Sequence, residues 1–100
     1  MYEIETTPHY DRWFAKLRDN RARVAVGTRV RRLSLGNPGD VKFVGRGVLE
    51  LRIDVGPGYR IYYMRSRKLV ILLLVGGDKS TQEEDIRKAM ELADRARSSS

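Results

Sequence analysis

The chain has 100 residues, 41% hydrophobic and 33% charged, a composition that buries one core, leaves no room for a second and is not that of a disordered chain. Lys and Arg number 20 against 13 Asp and Glu, a net charge of +7, and such an excess attracts polyanions, nucleic acid first and acidic proteins second. Zero cysteines and one histidine exclude disulfides, thiolate chemistry and a His-based metal site, so no metal or cofactor is expected. The N-terminal stretch MYEIETTPHY lacks the basic flank and apolar core of a secretory signal, so one domain over residues 1–100, cytoplasmic and off the membrane, is expected.

In chain order, Tyr2 to Glu5 alternates apolar and acidic residues and reads as a strand. Thr6-Thr7-Pro8 offers a cap and a first-turn proline, and Tyr10, Trp13, Phe14 and Leu17 follow at helical spacing. The stripe faces the core, while Arg12 and Lys16 point away. Asp19-Asn20 breaks this helix, and a second runs from about Arg21 to Leu35 with Ala22, Val26, Val30 and Leu33 as its buried stripe. Gly36-Asn37-Pro38-Gly39 stops it, completing a two-helix hairpin. Val41 to Val44 reads as a short strand before the Gly45-Arg46-Gly47 turn.

From Gly47 to Gln82 the pattern becomes that of a sheet. Leu49, Leu51, Ile53 and Val55 alternate with Glu50, Arg52 and Asp54, which predicts a strand with one buried and one charged face. Gly56-Pro57-Gly58 reverses the chain into Tyr59–Arg65, where Tyr59, Ile61 and Tyr63 oppose Arg60, Tyr62 and Met64. After the polar reversal Arg65-Ser66-Arg67-Lys68, the apolar run Leu69–Val75 fits an interior strand covered on both sides. The sheet is expected to stop at Gly76-Gly77-Asp78-Lys79. Ser80 and Glu83 have capping-box spacing, and Ile86, Ala89, Met90 and Ala93 give the last helix its apolar face before a frayed 97–100. The fold class is therefore α+β: an N-terminal strand, a two-helix hairpin, an antiparallel sheet of about four strands and a C-terminal helix.

That order, with Gly58-Tyr59-Arg60-Ile61-Tyr62-Tyr63 and the run Gly76 to Gln82 followed by Asp85-Ile86 and Ala89, resembles the RelE/ParE toxin superfamily, most closely its HigB-like addiction-module killer branch. The resemblance spans nearly the whole chain. It implies a RelE-like fold and a toxin of a type II toxin–antitoxin pair, commonly an endonuclease of translated mRNA on the ribosome. The partner it implies is an antitoxin, in this branch a small helix-turn-helix protein. From the G-Y-R motif it implies a phosphate-binding role for Arg60, and with it for Arg52 and Lys79.

The residues can be weighed without the resemblance. Metal-free RNA cleavage needs a 2′-OH activated, a leaving oxygen protonated and charge on the scissile phosphate offset. Here arginine, lysine, tyrosine and carboxylates must do this, and planar guanidinium groups suit phosphate well. Arg52 and Arg60 fall on the polar sides of adjacent strands, with Lys79 at the end of the next. The chain departs from RelE in lacking a lysine pair on the strand that reads Val48, Glu50 and Arg52, and in having no tyrosine after Tyr63. The general base is thus unassigned, with Lys79, Glu50 and Asp78 as candidates. Arg46, Arg65, Lys68, Arg12, Lys16 and Arg23 are the expected RNA contacts.

Each feature also has a plainer reading. Arg52 and Arg60 can be exposed cross-strand cations, the basic face from Arg12 to Arg32 a solvated one, His9 a surface residue beside the first helix, and Asp78 a cap for the turn into the last helix. Trp13 belongs to the core stripe. Three functions follow: an mRNA endoribonuclease, a ParE-type toxin that poisons DNA gyrase without nuclease activity, or a non-catalytic module binding nucleic acid or antitoxin.

Overall fold

Thr7 opens the first helix in the way its position predicts: its hydroxyl accepts from the Tyr10 N–H at 3.0 Å and donates to the Leu74 carbonyl at 2.6 Å. One side chain thus caps a helix and ties it to the sheet. The computed structural model describes residues 1–99. Its elements are β1 (Glu3–Thr6), α1 (Pro8–Lys16), α2 (Asn20–Ser34), β2 (Val41–Gly45), β3 (Val48–Ile53), β4 (Tyr59–Arg67), β5 (Val70–Asp78), a 3-10 turn (Lys79–Thr81) and α3 (Gln82–Ser98). Asp19 caps α2 by accepting from the Arg21 N–H at 3.0 Å.

The strands form one sheet in the order β1-β5-β4-β3-β2. β2 to β5 are an antiparallel meander, as expected, and β1 joins β5 as a parallel edge strand. β1 pairs only with Val70 to Leu73, so the C-terminal half of β5 has no strand on that side. Among the described residues no helix is long and apolar enough to cross a membrane.

The sheet is covered on both faces, which corrects the expectation of a charged outer face. On one side α1 and α2 bury Leu51, Ile53, Ile61, Tyr63, Ile71 and Leu73 with Tyr10, Ala22, Val26 and Leu33. On the other, α3 lays Ala89 and Ala93 over Val48, Tyr62, Met64, Leu74 and Val75. The register Val48↔Met64, Glu50↔Tyr62, Arg52↔Arg60 puts Glu50 on that second face, where it is 1% exposed. The clue lay in β4, whose supposedly polar side carries Tyr62 and Met64.

Four local expectations also change. β3 ends at Ile53, leaving Val55 in the following turn. β5 continues through Gly76-Gly77-Asp78, which pair with Ile61, Arg60 and Tyr59. Ser80 and Glu83 make no capping box: Asp78 caps the 3-10 turn by accepting from the Ser80 N–H at 2.8 Å, and Thr81 donates to Asp85 at 2.7 Å. The expected fraying from Arg97 is not found as far as Ser99, since α3 runs to Ser98 and the Ser99 N–H still reaches the Arg95 carbonyl, while Ser100 lies outside the described residues.

The glycine pair in β5 is required by close approach rather than by backbone angle. A Cβ on Gly76 would stand 2.1 Å from the Trp13 ring, and one on Gly77 1.9 Å from Asp85 Oδ2. The first lets α1 lie flat on the strand, and the second admits the start of α3 from the opposite side.

Candidate active site

Pairing Arg52 with Arg60 across antiparallel strands brings two like charges side by side, which is unfavourable unless an anion lies between them. Glu50 supplies it. Its Oε1 accepts from Arg52 Nε at 3.1 Å and lies 3.7 Å from an Arg60 terminal nitrogen, while Oε2 accepts from the Tyr62 hydroxyl at 3.1 Å and Gln82 Nε2 at 3.0 Å. Burial opposes the charge on Glu50, but the bonds from Arg52 and Tyr62, the Arg60 charge and the Gln82 bond outweigh it and hold the pKa below the ordinary 4.5. The same burial and the Glu50 charge push the Tyr62 hydroxyl well up, so it stays protonated and donating. Glu50 is a fixed anchor with its oxygens occupied, not an accessible base.

Both arginines also face open space. Arg52, Arg60 and Lys79 line a single cavity of about 170 Å³ at the ends of β3 and β5 and the start of β4. At ~30 Å³ per water this is room for roughly six, enough for a phosphate group. The Arg52 side chain is 37% exposed and that of Arg60 13%. Arg60 Nε is buried without a hydrogen-bond partner, an uncommon state for a charged donor. Opposite Arg60 in β5 stands Gly77, which adds no side chain of its own beside the guanidinium.

Asp40, Asp54 and Tyr59 share the cavity wall, and sequence reasoning had singled out none of them. Asp40 arrives through Arg29, whose guanidinium donates to the carbonyls of Arg52 at 2.5 Å, Pro38 at 2.9 Å and Asp40 at 3.4 Å. An arginine on α2 thereby pins the loop before β2 against the end of β3. No pattern in the sequence marks that long-range contact.

The other expected RNA contacts are scattered. Arg12 and Lys16 are exposed on α1 and border a second cavity. Arg23 lies 4.3 Å from the Phe14 ring centre and donates to the carbonyls of Phe14 and Leu17 at 2.7 and 3.1 Å, so it closes the C-terminus of α1. Arg46, Arg65 and Lys68 sit at the far end of the sheet, where Arg46 pairs with Asp94 at 2.8 Å and Arg65 with the Tyr2 hydroxyl. At about 3.3 Å per residue, the five residues from Arg60 to Arg65 put these two ends roughly 17 Å apart. Of the candidate bases, Asp78 is engaged by the N–H and hydroxyl of Ser80, and Lys79 is exposed on the cavity rim.

A mixed sheet backed by a helical hairpin and crossed by a C-terminal helix, with cations gathered at one strand end, is roughly consistent with a RelE-like fold. Residues 12–98 match the family model described as phage derived protein Gp49-like (DUF891). The chain belongs to this family, which falls within the RelE/HigB-like toxin group of toxin–antitoxin systems. It is 47% identical over 91 residues to an uncharacterized protein of Haemophilus influenzae, covering 91% of this chain and 92% of that one. No solved structure matches it significantly.

Proposed function

We propose that the chain is the toxin of a type II toxin–antitoxin pair and acts as a metal-independent endoribonuclease on translated mRNA, restrained by a small helix-turn-helix antitoxin. The observation that carries this reading is the convergence of Arg52, Arg60 and Lys79 on one phosphate-sized cavity, with the guanidinium of Arg60 short of a partner. A scissile phosphate in that cavity takes its charge-assisted bonds from the two arginines, which Glu50 keeps in place as the charge on phosphorus grows.

Cleavage then needs only a proton acceptor and a donor. The 2′-oxygen attacks phosphorus, the bond to the 5′-oxygen breaks, and the products are a 2′,3′-cyclic phosphate and a free 5′-OH. The Lys79 ammonium, on the rim, donates the proton to the leaving oxygen. Asp40 and Asp54, on the same wall, are the carboxylates able to take the proton from the 2′-OH. Glu50 does not take it, because it is enclosed.

Primer extension on mRNA from induced cells tests the reading. Discrete cuts should appear with the parent chain, and Arg52→Ala should weaken them by about 10²- to 10³-fold, the usual effect of removing one donor to a developing oxyanion. Intact mRNA with gyrase-linked DNA breaks would replace this reading with the gyrase-poisoning one.

A further inference from the structure

A second built feature, outside the arginine cavity, lies on the other side of the Asp78–Thr81 turn. It is a cavity of about 410 Å³ between α1 and the start of α3, bordered by His9, Arg12, Trp13, Lys16, Gly77 and Asp85 among others. Its volume is within the range of roughly 300–1,000 Å³ usual for small-molecule sites. It lies beside the stretch of β5 that β1 leaves unpaired, since β1 ends opposite Leu73. The glycine pair keeps it open, because the strand beneath it carries no side chain and Trp13 and Asp85 rest directly on the backbone.

Its chemistry is divided. Arg12 and Lys16, one helical turn apart on α1, are exposed cations at the mouth, suited to a phosphate. Asp85 is half-buried and fixed by the Thr81 hydroxyl at 2.7 Å, an oriented acceptor facing the same space. The Trp13 ring supplies an aromatic wall. A cation pair, an aromatic surface and a carboxylate together match one nucleotide, with phosphate outside and a base edge inside.

The neighbouring turn gives the direction. Asp78 and Ser80 border this cavity, whereas Lys79 between them borders the arginine cavity, so the two share a rim one residue wide. A single strand bent over Lys79 would place one phosphate on Arg52 and Arg60 and the adjoining nucleotide here. We infer that the cavity between α1 and α3 is a nucleotide-binding subsite for single-stranded RNA, which selects bases that present an amino group to Asp85 over uracil. This inference rests on the endoribonuclease reading for its biological setting, but not for its binding chemistry.

The test uses the sole tryptophan of the chain, which borders the cavity. The indole N–H resonance of Trp13 in the purified protein is followed while AMP, CMP, GMP, UMP or inorganic phosphate is added. Saturable shifts with the amino-bearing nucleotides, at least fivefold tighter than with UMP and than with phosphate, are expected. The double variant Arg12→Ala/Lys16→Ala should weaken binding at least tenfold, Asp85→Asn should abolish the preference over UMP, and Arg32→Ala, distant on α2, should change neither. Absence of any shift, equal shifts with UMP, or phosphate alone matching the nucleotides would overturn the inference. RNA cleavage measured on the same preparations keeps the two readings apart: binding without cleavage retains this subsite and removes the nuclease, whereas cleavage without binding does the reverse.

Discussion

Glu50 is the residue on which the geometry of the arginine cavity turns. Removing one partner from a buried ion pair leaves the other charge uncompensated, so Glu50→Gln should lose about 3 kcal/mol, roughly 12–24 °C in melting temperature for a domain of this size. The effect depends on pH. The folded-state pKa of Glu50 lies below the ordinary 4.5, so its contribution is complete above that value and disappears as pH falls through the lower folded one. Asp85 behaves oppositely: burial raises its pKa above 3.8 against the Thr81 bond and the His9 charge, so its contribution favours the protonated side and is lost as pH rises. Thermal melts of parent and Glu50→Gln should therefore draw together as pH falls below the ordinary 4.5, where the unfolded chain takes up a proton that the folded Glu50 resists. A gap that stayed constant there would show that folding leaves the Glu50 pKa unshifted.

At the scale of elements, two glycines that look alike in the sequence should respond with opposite sign. Gly76 lies under Trp13, and an added methyl would meet a ring held between Tyr10, Phe14 and Tyr59. Gly76→Ala should then destabilise by about 3 kcal/mol, the upper end for overpacking, since α1 has to lift from β5. Gly27, within α2, has nothing within 4 Å of the new Cβ. Gly27→Ala should stabilise by about 0.5–1 kcal/mol through helix propensity alone. Urea denaturation of the two variants beside the parent checks both, and equal effects would mean that α1 does not bear on the strand as described. The same contact sets the second cavity, because the glycine pair that admits α1 and α3 also leaves the floor between them bare.

For the whole molecule, the net charge of +7 gives long-range attraction, but its cations are not interchangeable. Arg23 and Arg29 bond to backbone carbonyls, and Arg46, Arg65 and Arg67 pair at the end of the sheet away from the arginine cavity. Arg12, Lys16, Arg52, Arg60 and Lys79 surround the two adjoining cavities instead. Binding to single-stranded RNA should weaken linearly in log salt, with each of these five replaced by alanine lowering the slope by about 0.7. Arg65→Ala should leave it nearly unchanged. A slope that fell equally for Arg65 would place the RNA across the whole sheet.

The element order and both helical stripes were legible in the sequence, because apolar spacing records which side of each element is buried and Thr7, Asp19 and the glycine turns mark the boundaries. The kinship, too, could be read from the G-Y-R and G-G-D-K-S-T-Q stretches. Alternation could not say what covered the second face, since a polar residue at every other position looks the same whether it meets water or a helix that arrives from 30 residues further along. Alternation therefore places Glu50 on a charged face, and it is α3 that encloses it. Nor could spacing reveal that Arg29 ties the loop before β2 to β3, or that Asp40 and Lys79 share a wall, because such meetings depend on loop closure between distant segments. The chain by itself determined which residues carry charge and which strands they ride on; only tertiary packing decided which charges neutralise one another inside and which remain to meet a ligand.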